Sequence, residues 1–271
     1  MDIKNINNVK LGVIGCGKMA SAILGGVVNN KFITADNIFI YDVNEETKNN
    51  LAQKYSFNAL NSIEEVLNST NTLLLATKPF AVNDVLNEIK KNYNNHLVMS
   101  ILAGVKIEKY LSIIPNINIV RIMPNTPALL NCAMSAVCVS ENNSDGDINF
   151  TVEFMKNCGE VITTKEDKMD VITALSGSGP AYYYKIIELM AISAHKLGLD
   201  YKQALLLSSQ TALGSAKMVL ENNFDIAQLI KNVTTPGGCT EVGNNVLNNS
   251  NIDLIIDKTI EDTMQKAHDL G

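Results

Sequence analysis

A chain of 271 residues, 46% hydrophobic and 18% charged, is long enough for one large or two modest packed domains and too apolar for disorder. Its formal net charge of −6, with no block of like charge, excludes the basic face that nucleic acid demands. The longest apolar stretches reach about half of the roughly 20 residues a membrane span needs, and the polar N-terminus leads straight into a strand, which does not read as a secretory signal. Five cysteines (Cys16, Cys132, Cys138, Cys158, Cys239) without a C-x-x-C pair argue against zinc and against a disulfide framework. They are expected as buried or half-buried thiols of a cytoplasmic protein with no metal site.

In chain order, residues 10–15 (KLGVIG) read as a strand, and further strands are predicted at 38–42, 72–76, 97–101, 117–123, 134–139 and 160–163. Helical stretches near 18–30, 44–55, 79–91 and 106–113 separate the first five. Alternation of helices with continuously apolar strands predicts a parallel sheet covered on both faces. Beyond residue 165 the strand signals vanish, and helices are predicted at 166–175, 180–197, 201–221, 225–231, 240–248 and 252–269. Pro180 suits the start of one of them, because its missing N–H is not needed there. The expected fold class is α/β: a Rossmann-like doubly wound sheet in residues 1–164, followed by an all-α domain in residues 165–271.

The first chemical signal lies where the first strand meets the first helix, in Gly15-Cys16-Gly17-Lys18-Met19-Ala20. Gly15 makes the tight turn, Gly17 lets a pyrophosphate approach the backbone, and Ala20 permits close helix–strand packing. Alone, G-x-G-x-x-A is weak, since glycines also punctuate ordinary strand-to-helix turns. Its place after a first strand, with the acidic Asp42 ending the second, makes dinucleotide binding the expectation. A third strand ends in Ala76-Thr77-Lys78-Pro79, where Lys78 either borders the ligand crevice or is a solvated lysine opening a helix. A later strand ends in Arg121-Ile122-Met123-Pro124-Asn125-Thr126-Pro127, whose two prolines stiffen a turn at the same sheet edge. That turn is either part of the crevice or purely structural.

Two glycine–proline loops stand among the C-terminal helices. Ser176-Gly177-Ser178-Gly179-Pro180 puts bare backbone and two hydroxyls at a helix junction. Thr235-Pro236-Gly237-Gly238-Cys239-Thr240 precedes a helix, so the N–H groups of Gly237 to Thr240 are expected to point outward toward a small carboxylate. Thr240 reads equally as a helix N-cap.

Over essentially its whole length the chain resembles the pyrroline-5-carboxylate reductase family, through IGCGKMA, ATKP, RIMPNTP, LSGSGPAY and VTTPGGCTEVG in family order. The resemblance implies NADPH or NADH as hydride donor and 1-pyrroline-5-carboxylate, a small imine, as substrate. It further implies a helical domain that interleaves with a partner to form a homodimer, such dimers often joining into rings. The active site then lies where one subunit's nicotinamide meets the partner's helical domain. By resemblance the cofactor loops are Gly15 to Met19, Asp42, Ala76 to Pro79 and Asn125. The substrate loop is Thr235 and Gly237 to Thr240; Thr240 reaches the ring nitrogen and Ser178 lies beside the nicotinamide. Asn131 and Ala133 stand where the family usually has glycines, and Glu221 to Ile226 lacks the usual glutamate and His-Pro. This puts in doubt any carboxylate assigned near residue 223. Asp42, 22 residues beyond Ala20, and the absence of arginine after it predict NADH to serve at least as well as NADPH. Lys48 would soften that preference only if its helix turned it inward.

Competing readings are a related imine reductase or β-hydroxyacid dehydrogenase, and a non-catalytic dinucleotide-binding paralogue. Such dehydrogenases place an acidic lysine in the helical domain, and neither glycine loop here holds one. His96, His195 and His268 fall in no motif and are expected as surface or core residues.

Overall fold

The computed structural model describes residues 8–221 and 225–270. Residues 222–224 of the stretch from Glu221 to Ile226 noted above therefore lie outside the described residues. Contacts divide the chain into two compact units, one running to Ser178 and resuming at Thr263, the other Gly179–Asp262.

The first unit opens with β1 (Leu11–Ile14), α1 (Lys18–Asn29), β2 (Ile38–Tyr41), α2 (Glu45–Tyr55), a two-residue β3 (Asn58–Ala59) and α3 (Ile63–Ser69). It continues through β4 (Thr72–Leu75), α4 (Val82–Asn92), β5 (Leu97–Ser100), α5 (Ile107–Ile113) and β6 (Asn118–Met123). Then come β7 (Ala133–Val139), α6 (Asp145–Lys156), β8 (Gly159–Thr164) and the short α7 (Met169–Ile172). The strands stand in the order β3-β2-β1-β4-β5-β6-β7-β8. The order reverses at β1/β4, which makes that junction the topological switch point of a doubly wound sheet. β1, β4 and β5 are buried on both faces, as continuous apolar runs require. One apolar cluster packs α1 and α6 on one side of the sheet, and a second packs α3, α4 and α5 on the other.

Four expectations change. The sheet is parallel only through β6, because β7 runs antiparallel to β6 and carries β8 parallel to itself. α3 and α6 were not anticipated, being a short helix and one that opens on Asp-Gly-Asp. The stretch 166–175 is no single helix but a 3-10 turn, α7 and a π-helical turn at Thr173–Gly177. Met169 and Ala174 in it are fully buried, which keeps this stretch within the first unit beyond the sheet's end. Finally, of the five free thiols only Cys16, Cys138 and Cys158 are buried, while Cys132 and Cys239 are exposed. Asn131 adopts φ 55°, a left-handed conformation that asparagine tolerates better than most residues.

Arg121 of β6 is 2% exposed, and its Nη1 lies 2.9 Å from Glu166 Oε1, which also accepts the Ile107 N–H at 2.7 Å. A buried guanidinium needs such a partner, and this pair ties the sheet to the segment that leads toward Ser178.

The second unit consists of α8 (Gly179–Lys196), α9 (Tyr201–Glu221), α10 (Ile226–Val233), α11 (Cys239–Asn248) and the first part of α12 (Ile252–Asp269). Its helices expose large apolar side chains, among them Tyr183, Tyr184, Leu206, Leu207 and Leu220.

Candidate active site

At the switch point β1 ends in Gly15, whose φ of +100° only glycine adopts without strain. A Cβ there would sit 2.6 Å from the carbonyl carbon of Ala76, so the loops after β1 and β4 meet backbone to backbone. Gly15 N–H donates to Tyr41 O at 2.8 Å, fixing the turn to the end of β2 as well. Gly17 is the N-cap of α1 and offers no side chain to the helix's first N–H groups. Nothing lies within 4 Å of where its Cβ would be. Uncapped N–H groups facing open space at a helix N-terminus suit a pyrophosphate. On the rim beside them Thr77 Oγ1 is buried without a hydrogen-bond partner, a position a ligand oxygen would satisfy. Lys78 is exposed and is also the N-cap of the 3-10 turn Pro79–Ala81, which accommodates both readings of it.

Asp42 does something its motif did not announce. Its Oδ2 accepts the Cys16 N–H at 2.7 Å and its Oδ1 accepts the Asn44 N–H at 2.8 Å. Asp42 is thus a brace for the glycine loop, with one N–H on each carboxylate oxygen. Burial, reinforced by the Asp42 carboxylate, pushes the Cys16 thiol up to about 12, which makes it an inert core group. Val43 beside it is 87% exposed. Lys48 does turn inward and is 2% exposed, but its ammonium lies 2.7 Å from Glu45 Oε1 and 3.0 Å from Leu60 O. Its charge is held there and not offered at the end of β2.

On the far side of the rim the turn after β6 meets the Ser176–Ser178 segment. Asn125 Nδ2 donates to Ser176 O at 3.2 Å and to Ser176 Oγ at 3.4 Å, while its Oδ1 accepts the Met134 N–H at 3.0 Å. The expected Asn125 contact with a cofactor therefore does not use a free amide. Ser178 follows the π-helical turn, its N–H donating to Thr173 O at 2.9 Å. Instead of a bare turn, the LSGSG stretch is a wide helical one.

In the second unit Thr235-Pro236-Gly237-Gly238 leads into α11, N-capped by Gly238 with no side-chain cap. Only part of the expected row of amides stays open. Gly237 N–H donates to Glu241 Oε2 at 2.8 Å and Gly238 N–H to Thr235 O at 2.9 Å. Cys239 and Thr240 remain as the first helical residues with their N–H groups facing outward. Thr240 is not the N-cap, so its hydroxyl is released from that role. Glu241 was missed, although a glutamate at the third helical position reaching back over the N-terminus is a known capping signal.

The predicted residues thus fall into two sets. Gly15 to Met19, Asp42, Ala76 to Pro79, Asn125 and Ser178 share one rim of the sheet, and Thr235 and Gly237 to Thr240 form one loop of the helical unit. Among the described residues no group of three His, Cys, Asp or Glu side chains could hold a metal ion, and no helix is long and apolar enough to cross a membrane. A doubly wound sheet with a bare glycine loop at its switch point defines a dinucleotide-binding fold.

Two family models match the sequence: NADP oxidoreductase, coenzyme F420-dependent, over residues 10–104, and pyrroline-5-carboxylate reductase dimerisation over residues 166–270. The pyrroline-5-carboxylate reductase of Methanosarcina acetivorans is 33% identical, the match covering 98% of this chain and 99% of that one. The structure of a pyrroline-5-carboxylate reductase from Coxiella burnetii matches with a TM-score of 0.92 at 30% identity, covering 98% of this chain and 99% of that one. Plasmodium falciparum pyrroline carboxylate reductase, crystallised with NADP bound, gives 0.88 at 32% identity, covering 98% of this chain and all (100%) of that one. The chain belongs to the pyrroline-5-carboxylate reductase family.

Gly15→Ala is expected to lose about 1–3 kcal/mol of stability through strain at φ +100° and collision with Ala76. Its dinucleotide affinity should fall with it. Thermal unfolding with and without cofactor checks both.

Proposed function

We propose that this protein reduces the C=N bond of 1-pyrroline-5-carboxylate to L-proline, an oxidoreductase acting on a CH–NH group in proline biosynthesis. The observation that carries the reading is the joint presence of a bare pyrophosphate loop and the VTTPGGCTEVG and LSGSGPAY loops in a chain matched end to end by reductases of this family. The cofactor is a nicotinamide dinucleotide, which supplies the hydride.

The residues divide the work. Gly17, Lys18 and Met19 present α1's N-terminus to the pyrophosphate, with Gly15, Cys16, Ala76, Thr77, Lys78 and Pro79 forming the walls of the crevice. Cys239 and Thr240 N–H groups hold the substrate carboxylate at the positive end of α11, with Thr235, Gly237 and Gly238 shaping the loop. The Thr240 hydroxyl supports the ring nitrogen and Ser178 stands beside the nicotinamide. A protonated imine is already an electrophile, so orientation outweighs proton transfer. The histidines fit this division, since His96 is buried against Leu67 O, His195 bonds Leu199 O and His268 faces Asp170.

We place the functional boundary near residue 164, the end of β8, with 1–164 for the dinucleotide and 165–271 for dimerisation and substrate. The dimerisation model, which begins at residue 166, supports this. The exposed apolar side chains of α8 and α9 support a homodimer; that one subunit's dinucleotide is completed by its partner's helical unit rests on the resemblance. Association of such dimers into rings rests on the resemblance alone. Free thiols support a cytoplasmic location, and the net negative charge favours neither nucleic acid nor anionic membrane as partner.

Oxidation of NADH and NADPH in parallel, with pyrroline-5-carboxylate as acceptor, tests the function and the cofactor choice together. Both cofactors should be oxidised, NADH at least as efficiently, because Asp42 and Glu46 stand in the stretch after β2 with no arginine and Lys48 is already paired with Glu45. Val43→Arg should move preference toward NADPH and is a cleaner change than one at Asp42, which braces the glycine loop. A tenfold or greater wild-type preference for NADPH contradicts the cofactor assignment, and no oxidation with either contradicts the function. Thr240→Val should lower kcat/KM for the imine by about one to two decades, the worth of a hydrogen bond to a charged group, and leave cofactor affinity unchanged. Unaltered turnover would remove Thr240 from the site. Light scattering at micromolar concentration should show a dimer, and a stable monomer would refute the shared site.

A further inference from the structure

We infer that Asn125 is the positioning residue that seats the Ser176–Ser178 turn on the rim of the sheet, and that the reaction depends on it through Ser178 and not through a contact of its own with either ligand. The inference rests on the reading of the protein as an imine reductase.

Asn125 stands at the N-cap of the 3-10 turn Thr126–Leu130, a place where asparagine normally turns its side-chain oxygen onto the helix's own N–H groups. Here it makes no such cap. The amide is instead directed away from the turn that carries it. It reaches Ser176, 51 residues along the chain, through Nδ2, and Met134 at the start of β7 through Oδ1. At 9% exposure its amide has little access to solvent.

The partner it reaches is unusual. Ser176 belongs to the π-helical turn Thr173–Gly177, a rare conformation that occurs mostly as single turns and frequently at functional sites. Support comes from two neighbours near the end of β6. Met123 fills the space where a Cβ on Gly177 would be, and Asn125 holds Ser176 by its carbonyl and hydroxyl. Ser178 is the next residue, so its place is set by this clamp.

The chemistry of the clamp is selective. One planar group must donate to a carbonyl and accept from an N–H, which an amide does and a carboxylate does not. A protonated carboxyl group also does both. That identity gives a test which loss of mere stability would not mimic.

The full-length wild type, Asn125→Asp and Asn125→Ala are compared for kcat, KM for the imine and Kd for NADH, from about pH 8 to about pH 5. Kinetic values are taken as ratios to the wild type at each pH, with circular dichroism to confirm folding. At the upper pH both variants should lose at least about tenfold in kcat, a displacement of about 1 Å being enough for a 100-fold loss. NADH Kd should stay within about twofold of the wild type. As pH falls, Asn125→Asp should regain kcat, because its protonated carboxyl can donate to Ser176 O while still accepting from Met134 N–H. Asn125→Ala should not. A rise in NADH Kd with kcat preserved would make Asn125 a direct cofactor contact and overturn the inference, as would equal pH profiles for the two variants. If both variants fail to fold at every pH, Asn125 is a fold determinant and the inference falls. A wild type that does not reduce the imine overturns the functional reading and this inference with it, whereas an active wild type beside a fully active Asn125→Asp overturns the inference alone.

Discussion

Two backbones in contact organise the dinucleotide half of this protein. Gly15 lies against Ala76 at the switch point with no room for a side chain between them. β1 and β4 are hydrogen-bonded neighbours, Leu11 to Ile14 running alongside Thr72 to Leu75, so their ends emerge side by side. The helices after them leave on opposite faces, and the chain must diverge within one residue. Only a glycine turning through positive φ allows α1 to start at once, with its first N–H groups at the rim. The walls of the crevice follow from that start. Thr77 and Pro79 follow the end of β4, and the Cys16 N–H is brought within reach of Asp42.

Much of this was legible because it is local. Glycine spacing, apolar runs and prolines act over a few residues, and the strands predicted from them agree with those observed to within a residue or two at each end. The reversed direction of β7 was readable too. Residues 124–132 separate β6 from β7, fewer than the dozen or so that a parallel crossover needs. α6 carried a signal as well, since Ser144 and Asp147 form a capping box. The π-helical turn was not legible. Its geometry is matched to Met123 and Asn125, some fifty residues earlier, and no local pattern encodes a contact at that separation.

The helical unit presents a different constraint. Its helices carry apolar residues over more of their surface than a lone layer of helices can cover, so the side chains of α8 and α9 remain exposed in a single chain. A stripe about 100° wide is what one buried face requires, and a wider one implies a second surface to cover. The family model over residues 166–270 is named for dimerisation, which is the role such a surface would serve.

Three polar side chains beside the predicted ligand loops share one feature. Asp42 holds the N–H groups of Cys16 and Asn44, Asn125 holds Ser176 and Met134, and Glu241 holds the N–H of Gly237. Each stands next to a ligand-facing loop and uses its polar atoms on the protein's own backbone. On the proposed reading, what remains to meet the ligands is mainly backbone N–H groups and the hydroxyls of Thr77, Ser178 and Thr240. Backbone donors fixed in advance need no rearrangement when charge is bound or moves, which is the condition under which they are most effective. A substrate that arrives as a ready electrophile needs to be held at the correct distance and angle more than it needs an acid. Side chains that brace loops answer that need more directly than side chains that touch the reacting atoms.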